Sequence, residues 1–211
     1  MTISKLSKFI LNKIAKIRNG YNPLKKDGTK MKFKKNYLEY KNILEKEGIK
    51  KIYHLTDSNN IESIKRHGGL YSRKYCESNN IKIYKTGGND LSKKFDSQDS
   101  LENSEDYVRL SFVEDQPMFY RRSNIVCLEI GIEVIYWDAT FHSDINATTQ
   151  RQKPIIGKDI DCFKKIRFDI IKKGWMDLNY SDREIRKRYY QAEIMVKTFI
   201  PIKFIKNINI L

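Results

Sequence analysis

The stretch that decides the fold is residues 51–69, Lys51-Ile52-Tyr53-His54-Leu55-Thr56-Asp57-Ser58-Asn59-Asn60-Ile61-Glu62-Ser63-Ile64-Lys65-Arg66-His67-Gly68-Gly69. It opens on a short strand, Lys51–Leu55. Asp57 or Ser58 then offers a side-chain oxygen to cap a helix over Asn60–Arg66, and Gly68-Gly69 closes that helix. Strand, cap, helix and glycine stop within nineteen residues mark a compact unit of mixed structure. The strand end is also chemically equipped. His54 and Thr56, with Asn60 on the helix that follows, place a ring nitrogen, a hydroxyl and backbone donors on one edge, a set suited to an amide or a ribose. A histidine at a strand end is as a rule a satisfied structural residue, so the segment alone does not decide a function.

On the N-terminal side, residues 2–18 read as a basic amphipathic helix. Ile3, Leu6, Ile10, Ile14 and Ile17 recur at helical spacing with Lys5, Lys8, Lys13 and Lys16 between them. Asn19-Gly20 and Asn22-Pro23 stop it. A second helix covers Lys35–Glu47 and ends at Gly48. The expected division is a basic helical extension over residues 1–48 and one domain over 49–211.

On the C-terminal side, residues 76–106 hold few apolar side chains and much Ser, Asn, Asp, Gly and Lys. They are expected to form a long mobile loop region. Strands follow at Tyr107–Phe112 and Ile125–Ile130, with a further candidate at Val134–Trp137. A helix is expected over Ile160–Ile171, a charged stretch over Arg183–Gln191, an alternating segment over Ala192–Val196 and a strand over Phe199–Ile205. Helices and short strands without regular alternation give an α+β fold, not a doubly wound sheet. No GxGxxG follows a strand and no GxxxxGK[ST] is present, so neither a dinucleotide-binding βαβ unit nor a P-loop is signalled.

Composition narrows the class. Forty-one Lys and Arg face 26 Asp and Glu, a formal charge of +15, which points to a polyanionic partner through counterion release. Richness in Ile, Lys and Asn also fits an AT-rich genome, so charge alone favours nucleic acid only somewhat. No apolar run reaches the length that spans a bilayer, and Met1–Ile10 lacks the apolar stretch of a secretory signal. The expectation is a soluble, cytoplasmic, monomeric protein without membrane contact. Cys76, Cys127 and Cys162 are odd in number and widely spaced, with only His54, His67 and His142 beside them. Neither a disulfide framework nor a metal site is expected.

Three further segments carry potential chemistry. Asp106-Tyr107-Val108-Arg109-Leu110-Ser111-Phe112 alternates, putting Tyr107, Arg109 and Ser111 on one face. Asp115–Arg122 mixes Phe119 and Tyr120 with Arg121 and Arg122, a combination suited to stacking on bases and contacting phosphates. Gln191-Ala192-Glu193-Ile194-Met195-Val196 sets an acid in an apolar strand. A buried carboxylate there is costly without a partner. It is either an outward-facing residue of an edge strand or a functional group.

Four segments in this order, YHLTDSNNIESIKRHGGLYS, DYVRLSFVEDQPMFYR, FHSDINAT and YYQAEIMV, resemble the DarT family of DNA ADP-ribosyltransferase toxins, from about Tyr53 to Val196. The resemblance implies an ADP-ribosyltransferase-like split β-sheet with NAD in its cleft. It implies transfer of ADP-ribose to a thymine or guanine in single-stranded DNA, and a macrodomain antitoxin as partner. Carried over residue by residue, it puts His54, Leu55 and Thr56 against the nicotinamide side of NAD. Asn60, Leu70, Ser72 and Tyr107 are implied as further cofactor contacts, and Glu193 as the catalytic carboxylate. Lys93, Arg109, Arg121 and Arg122 are expected to meet DNA. The family places an arginine in the loop before the DYVxL strand, where this chain has Asp90-Leu91-Ser92-Lys93-Lys94-Phe95-Asp96. Lys94 is the expected second catalytic residue, with Arg109 from the strand or Arg73 from the earlier loop as alternatives. An ammonium is a point charge and not a planar fork, so its grip on a pyrophosphate differs.

Overall fold

The computed structural model describes residues 31–84, 104–116, 123–147, 152–176 and 180–208. The basic helix expected over residues 2–18 lies outside them.

Among the described residues eight strands form two sheets. The larger has the order β4-β1-β3-β7-β5-β6, and β2 and β8 form a separate pair. The strands are β1 Lys51–Asp57, β2 Gly69–Tyr71, β3 Tyr107–Ser111, β4 Ile125–Gly131, β5 Thr140–Ser143, β6 Ile156–Gly157, β7 Glu193–Lys197 and β8 Phe199–Pro201. All neighbours are antiparallel. Six helices lie beside them among the described residues: α1 Tyr37–Glu47, α2 Ile61–His67, α3 Arg73–Ser78, α4 Ile160–Phe163, α5 Phe168–Lys173 and α6 Tyr180–Tyr190. The fold is α+β.

The alternation in β3 and β7 sorts two layers. Val108, Leu110, Ile194 and Val196 face the main core, with Ile52, Leu128 and Ile130 from neighbouring strands. The opposite face carries a small cluster in which Ala147 and Met195 pack with Tyr107, Phe141 and Ile156. Glu193 shares this second face, because residues two apart on a strand point the same way.

The local signals of residues 51–69 are realised. The Asp57 carboxylate accepts the Asn59 backbone N–H and caps a single 3-10 turn, Ser58–Asn60, before α2 begins. Gly68 ends α2 in the left-handed conformation. At Gly69 a Cβ would stand 2.2 Å from the Ile200 carbonyl oxygen, so only glycine lets β2 approach β8 so closely. Between β7 and β8, Thr198 adopts a positive φ of 66°. Its N–H donates to Asp106 and its carbonyl accepts from Ser72, at 2.7 and 2.8 Å. These two bonds hold a conformation that is strained for a β-branched residue. That bend sends the chain from the large sheet into the small one.

Several expectations are corrected. Residues Val134–Trp137 are not a strand: Ile132–Tyr136 is a 3-10 segment. Lys34 is the cause. Its buried side-chain nitrogen donates to the carbonyls of Ile135, Trp137 and Thr140 at 3.0, 2.9 and 2.6 Å, drawing the carbonyls of this segment toward one point. The single helix over Ile160–Ile171 is two, α4 and α5, with Lys164–Arg167 between them. A continuous helix would carry Phe163 and Phe168 to different faces. The break buries both, their rings edge to face at 5.7 Å. The strand over Phe199–Ile205 stops at Pro201, which has no N–H to continue a ladder, and Ile202–Phe204 winds into a 3-10 turn. Residues 76–106 are not all loop. Helix α3 runs to Ser78, started by the Ser72 cap and anchored by buried Cys76, and Ser104–Asp106 is a 3-10 turn. Residues 85–103 lie outside the described residues. The charged stretch around Arg183–Gln191 is helical, within α6.

Where it is described, the extension expected over residues 1–48 packs against the rest of the chain. Met31, Tyr40 and Leu44 belong to the main core, and Phe33 bridges Trp137.

Candidate active site

Strand β7 is an interior strand, flanked by β3 and β5. Glu193 is therefore not an outward residue of an edge strand; it is 8% exposed. In register it faces Ser111 on one side and Ser143 on the other. Its carboxylate has the partners that burial demands. Oε2 accepts from the Arg109 guanidinium at 3.0 Å and from the Ala147 backbone N–H at 3.1 Å. Arg109 lies opposite Met195, two residues along from Glu193, and a long side chain spans that diagonal.

Strand β1 pairs with β4 along its whole length. With β3 it makes one pair, Tyr53 opposite Ser111. Past that pair His54 meets the neighbouring strand by its side chain, Nδ1 lying 2.9 Å from the Arg109 carbonyl oxygen. A carbonyl only accepts, so the neutral ring carries its proton on Nδ1 and keeps a lone pair on Nε2. Burial lowers the His54 pKa, and the bond to the Arg109 carbonyl raises it in part; the neutral form is favoured. Arg109 thus joins the two sequence-selected groups, His54 through its backbone and Glu193 through its side chain.

Beyond His54, Leu55 and Thr56 are buried. Asn60 donates from Nδ2 to the Thr56 hydroxyl at 3.1 Å and to the Tyr84 carbonyl at 2.8 Å, and its Oδ1 accepts the Tyr84 N–H at 2.8 Å. It ties the end of β1 to residue 84. Leu70 is part of the core. Ser72 is buried, its hydroxyl accepting the Tyr75 N–H as the cap of α3. Tyr107 sits edge to face with Phe141, centroids 5.6 Å apart.

The three cations considered for the missing loop arginine separate clearly. Arg73 pairs with Glu77 on α3 at 3.0 Å. Arg109 reaches Glu193. Lys94 lies outside the described residues, as do Lys93, Arg121 and Arg122. Arg109 is expected at DNA phosphates; in this structure its Nη1 donates to the buried Glu193 carboxylate.

The FHSDINAT segment supplies groups to which sequence reasoning gave no role. Phe141 and Ser143 share the Glu193 face, while His142 turns into the core between the rings of Tyr40 and Phe163, 5.9 and 5.0 Å away. Asp144 accepts the Ile155 N–H at 2.8 Å, and Ala147 delivers its N–H to Glu193. A backbone donor leaves no mark in a sequence, and the pairing of β3 with β7 that brings Arg109 to Glu193 is set by the sheet order.

A family model described as ssDNA thymidine ADP-ribosyltransferase, DarT, matches residues 53–210. The chain belongs to the DarT family. Its fold is that of solved DarT structures. The Thermus sp. 2.9 DarT in complex with ADP-ribosylated ssDNA matches with a TM-score of 0.59 at 16% identity, covering 75% of this chain and 79% of that one. The same protein in complex with NAD+ matches with a TM-score of 0.55 at 17% identity, covering 75% and 80%. Thermosipho africanus DarTG in complex with ADP-ribose matches with a TM-score of 0.62 at 20% identity, covering 74% of this chain and 43% of that longer chain. No curated protein sequence matches. The DarT match begins within β1, so it takes in His54, Arg109, Ala147 and Glu193. Among the described residues no cluster of His, Cys, Asp and Glu is arranged to hold a metal ion. No described helix is long and apolar enough to cross a membrane.

Proposed function

We propose that this chain transfers ADP-ribose from NAD to thymidine in single-stranded DNA, with Glu193 as the catalytic carboxylate. The observation that carries the reading is the buried, doubly bonded Glu193 joined through Arg109 to His54, in a chain of the DarT family. His54, Leu55 and Thr56 take the nicotinamide side of NAD, with Asn60, Leu70, Ser72 and Tyr107 completing the cofactor side. Departure of nicotinamide leaves an oxocarbenium-like ribose. The Glu193 carboxylate stabilises that charge and orients a ribose hydroxyl or accepts the proton of the attacking base nitrogen. Lys94 is assigned as the second catalytic residue, and Lys93, Arg121 and Arg122 to the DNA strand, where cations offset phosphate charge.

The relative named DarTG supports a toxin–antitoxin setting, and we assign this chain a macrodomain antitoxin as partner. It acts as a monomer in the cytoplasm. The test is mass spectrometry of thymidine-containing oligonucleotides incubated with the protein and NAD. The expected result is a product carrying one ADP-ribose, with nicotinamide release stimulated by single-stranded DNA. Modification of RNA or protein, with DNA untouched, overturns the substrate; no nicotinamide release with any acceptor overturns the activity.

A further inference from the structure

We infer that Arg109 is a positioning residue for Glu193, fixing one carboxylate oxygen so that the other is presented to the reacting sugar. This rests on the function proposed above and assigns Arg109 a task in that reaction.

Two donors from separate parts of the fold converge on one atom. Arg109 Nη1 comes from β3 and the Ala147 N–H from the segment after β5, at 3.0 and 3.1 Å, and both fall on Oε2. Among the described residues Oε1 receives no such bond. A glutamate side chain has three rotatable bonds, and a carboxylate held at a single oxygen still pivots about its terminal bond. Two donors approaching from different directions remove most of that freedom. They also leave the second oxygen as the one available to a developing positive charge.

Exposure fits this division. The Glu193 side chain is 11% exposed and that of Arg109 29%, so the carboxylate is shielded and the guanidinium forms its outer wall. The Arg109 carbonyl meanwhile meets His54 Nδ1 at 2.9 Å. One residue therefore sets the position of the carboxylate against the strand end assigned to nicotinamide. A guanidinium reserved for DNA phosphates would need no such partner on β7. The two roles predict opposite kinetics, because a phosphate grip acts on DNA affinity and a positioning contact acts on turnover.

The experiment compares wild type, Arg109→Gln, Arg109→Lys, Glu193→Gln and the double variant Arg109→Gln/Glu193→Gln. Thermal melts confirm that each folds. The readout is kcat and KM for NAD and for a thymidine oligonucleotide, with DNA affinity across a salt series. Arg109→Gln is expected to lower kcat about 100-fold, the scale of losing a supporting contact to a catalytic group, with both KM values changed less than about threefold. Its salt slope for DNA should match wild type. Arg109→Lys should recover part of the turnover. In the Glu193→Gln background Arg109→Gln should cost less than about twofold, since a residue acting through Glu193 has nothing left to position.

Unchanged kcat overturns the inference. So does a raised DNA KM with a shallower salt slope, which marks a phosphate contact, or an equal loss in both backgrounds, which marks an independent role. If wild type modifies no DNA, the substrate assignment fails separately, and the same variants carry the same test on nicotinamide release to water.

Discussion

Replacing Glu193 by Gln removes charge and basicity while keeping size and one oxygen acceptor. In the native site Oε2 receives both the Arg109 and Ala147 donors, and the Gln oxygen can still accept them. Packing is preserved, and the change falls on electrostatics. The Arg109 side chain is 29% exposed, so water compensates the guanidinium for a bond that is now to a neutral oxygen. The stability cost is then about 1 kcal/mol, well below the roughly 3–5 kcal/mol of a fully buried pair broken on one side. For a chain of this size that lowers the melting temperature by about 2–4 °C. Catalysis suffers more. A preorganised group facing charge that develops only in the transition state contributes about 3 kcal/mol, so transfer should fall on the order of 10²-fold or more. NAD and DNA binding should persist, since neither ground state presents the ribosyl cation that Glu193 meets. The assay is ADP-ribosylated oligonucleotide formed per minute at saturating NAD, beside a melting curve. Near-normal turnover in a folded variant refutes the reasoning and leaves Glu193 a structural member of β7.

Three further outcomes follow from the same geometry. His54→Ala should weaken NAD binding with the fold intact, measured by calorimetry; unchanged affinity removes the strand end from the NAD site. Burial and the nearby Lys34 hold the core His142 at a pKa of about 3, against an ordinary 6.5, with Asp159 opposing. The unfolded chain therefore takes up a proton that the folded one refuses. Stability is intact above about pH 6.5 and falls by about 1.4 kcal/mol per pH unit toward pH 3. His142→Phe, set between Tyr40 and Phe163, should flatten that decline in urea melts from pH 7 to 4; an unchanged slope sinks the assignment. Asn60→Ala should release residue 84 from the end of β1, speeding amide exchange at Tyr84 while β4 keeps its protection; equal protection at Tyr84 would show that the amide pair does not hold it.

Much of this protein was legible locally. The Asp57 cap, the Gly48 and Gly68 stops and the strands around Tyr53, Val108, Leu128 and Ile194 depend on neighbours within a few residues, and a sequence displays these directly. The candidate carboxylate at Glu193 and the His54–Thr56 strand end were visible for the same reason, as polar residues breaking an apolar pattern. Tertiary structure decided the rest, wherever a distant group supplied the deciding bond. Lys34, about a hundred residues away, draws in the carbonyls of Ile135 and Trp137 and makes a 3-10 turn of an apolar run that reads as a strand. Joint burial of Phe163 and Phe168 splits one periodic helix in two, a packing demand that periodicity cannot reveal. Strand order set β7 inside the sheet, and so turned Glu193 from a candidate surface acid into a buried one with Arg109 and Ala147 as its donors. Those two partners lie 84 and 46 residues away along the chain, and only the register of β3, β5 and β7 brings them to one oxygen.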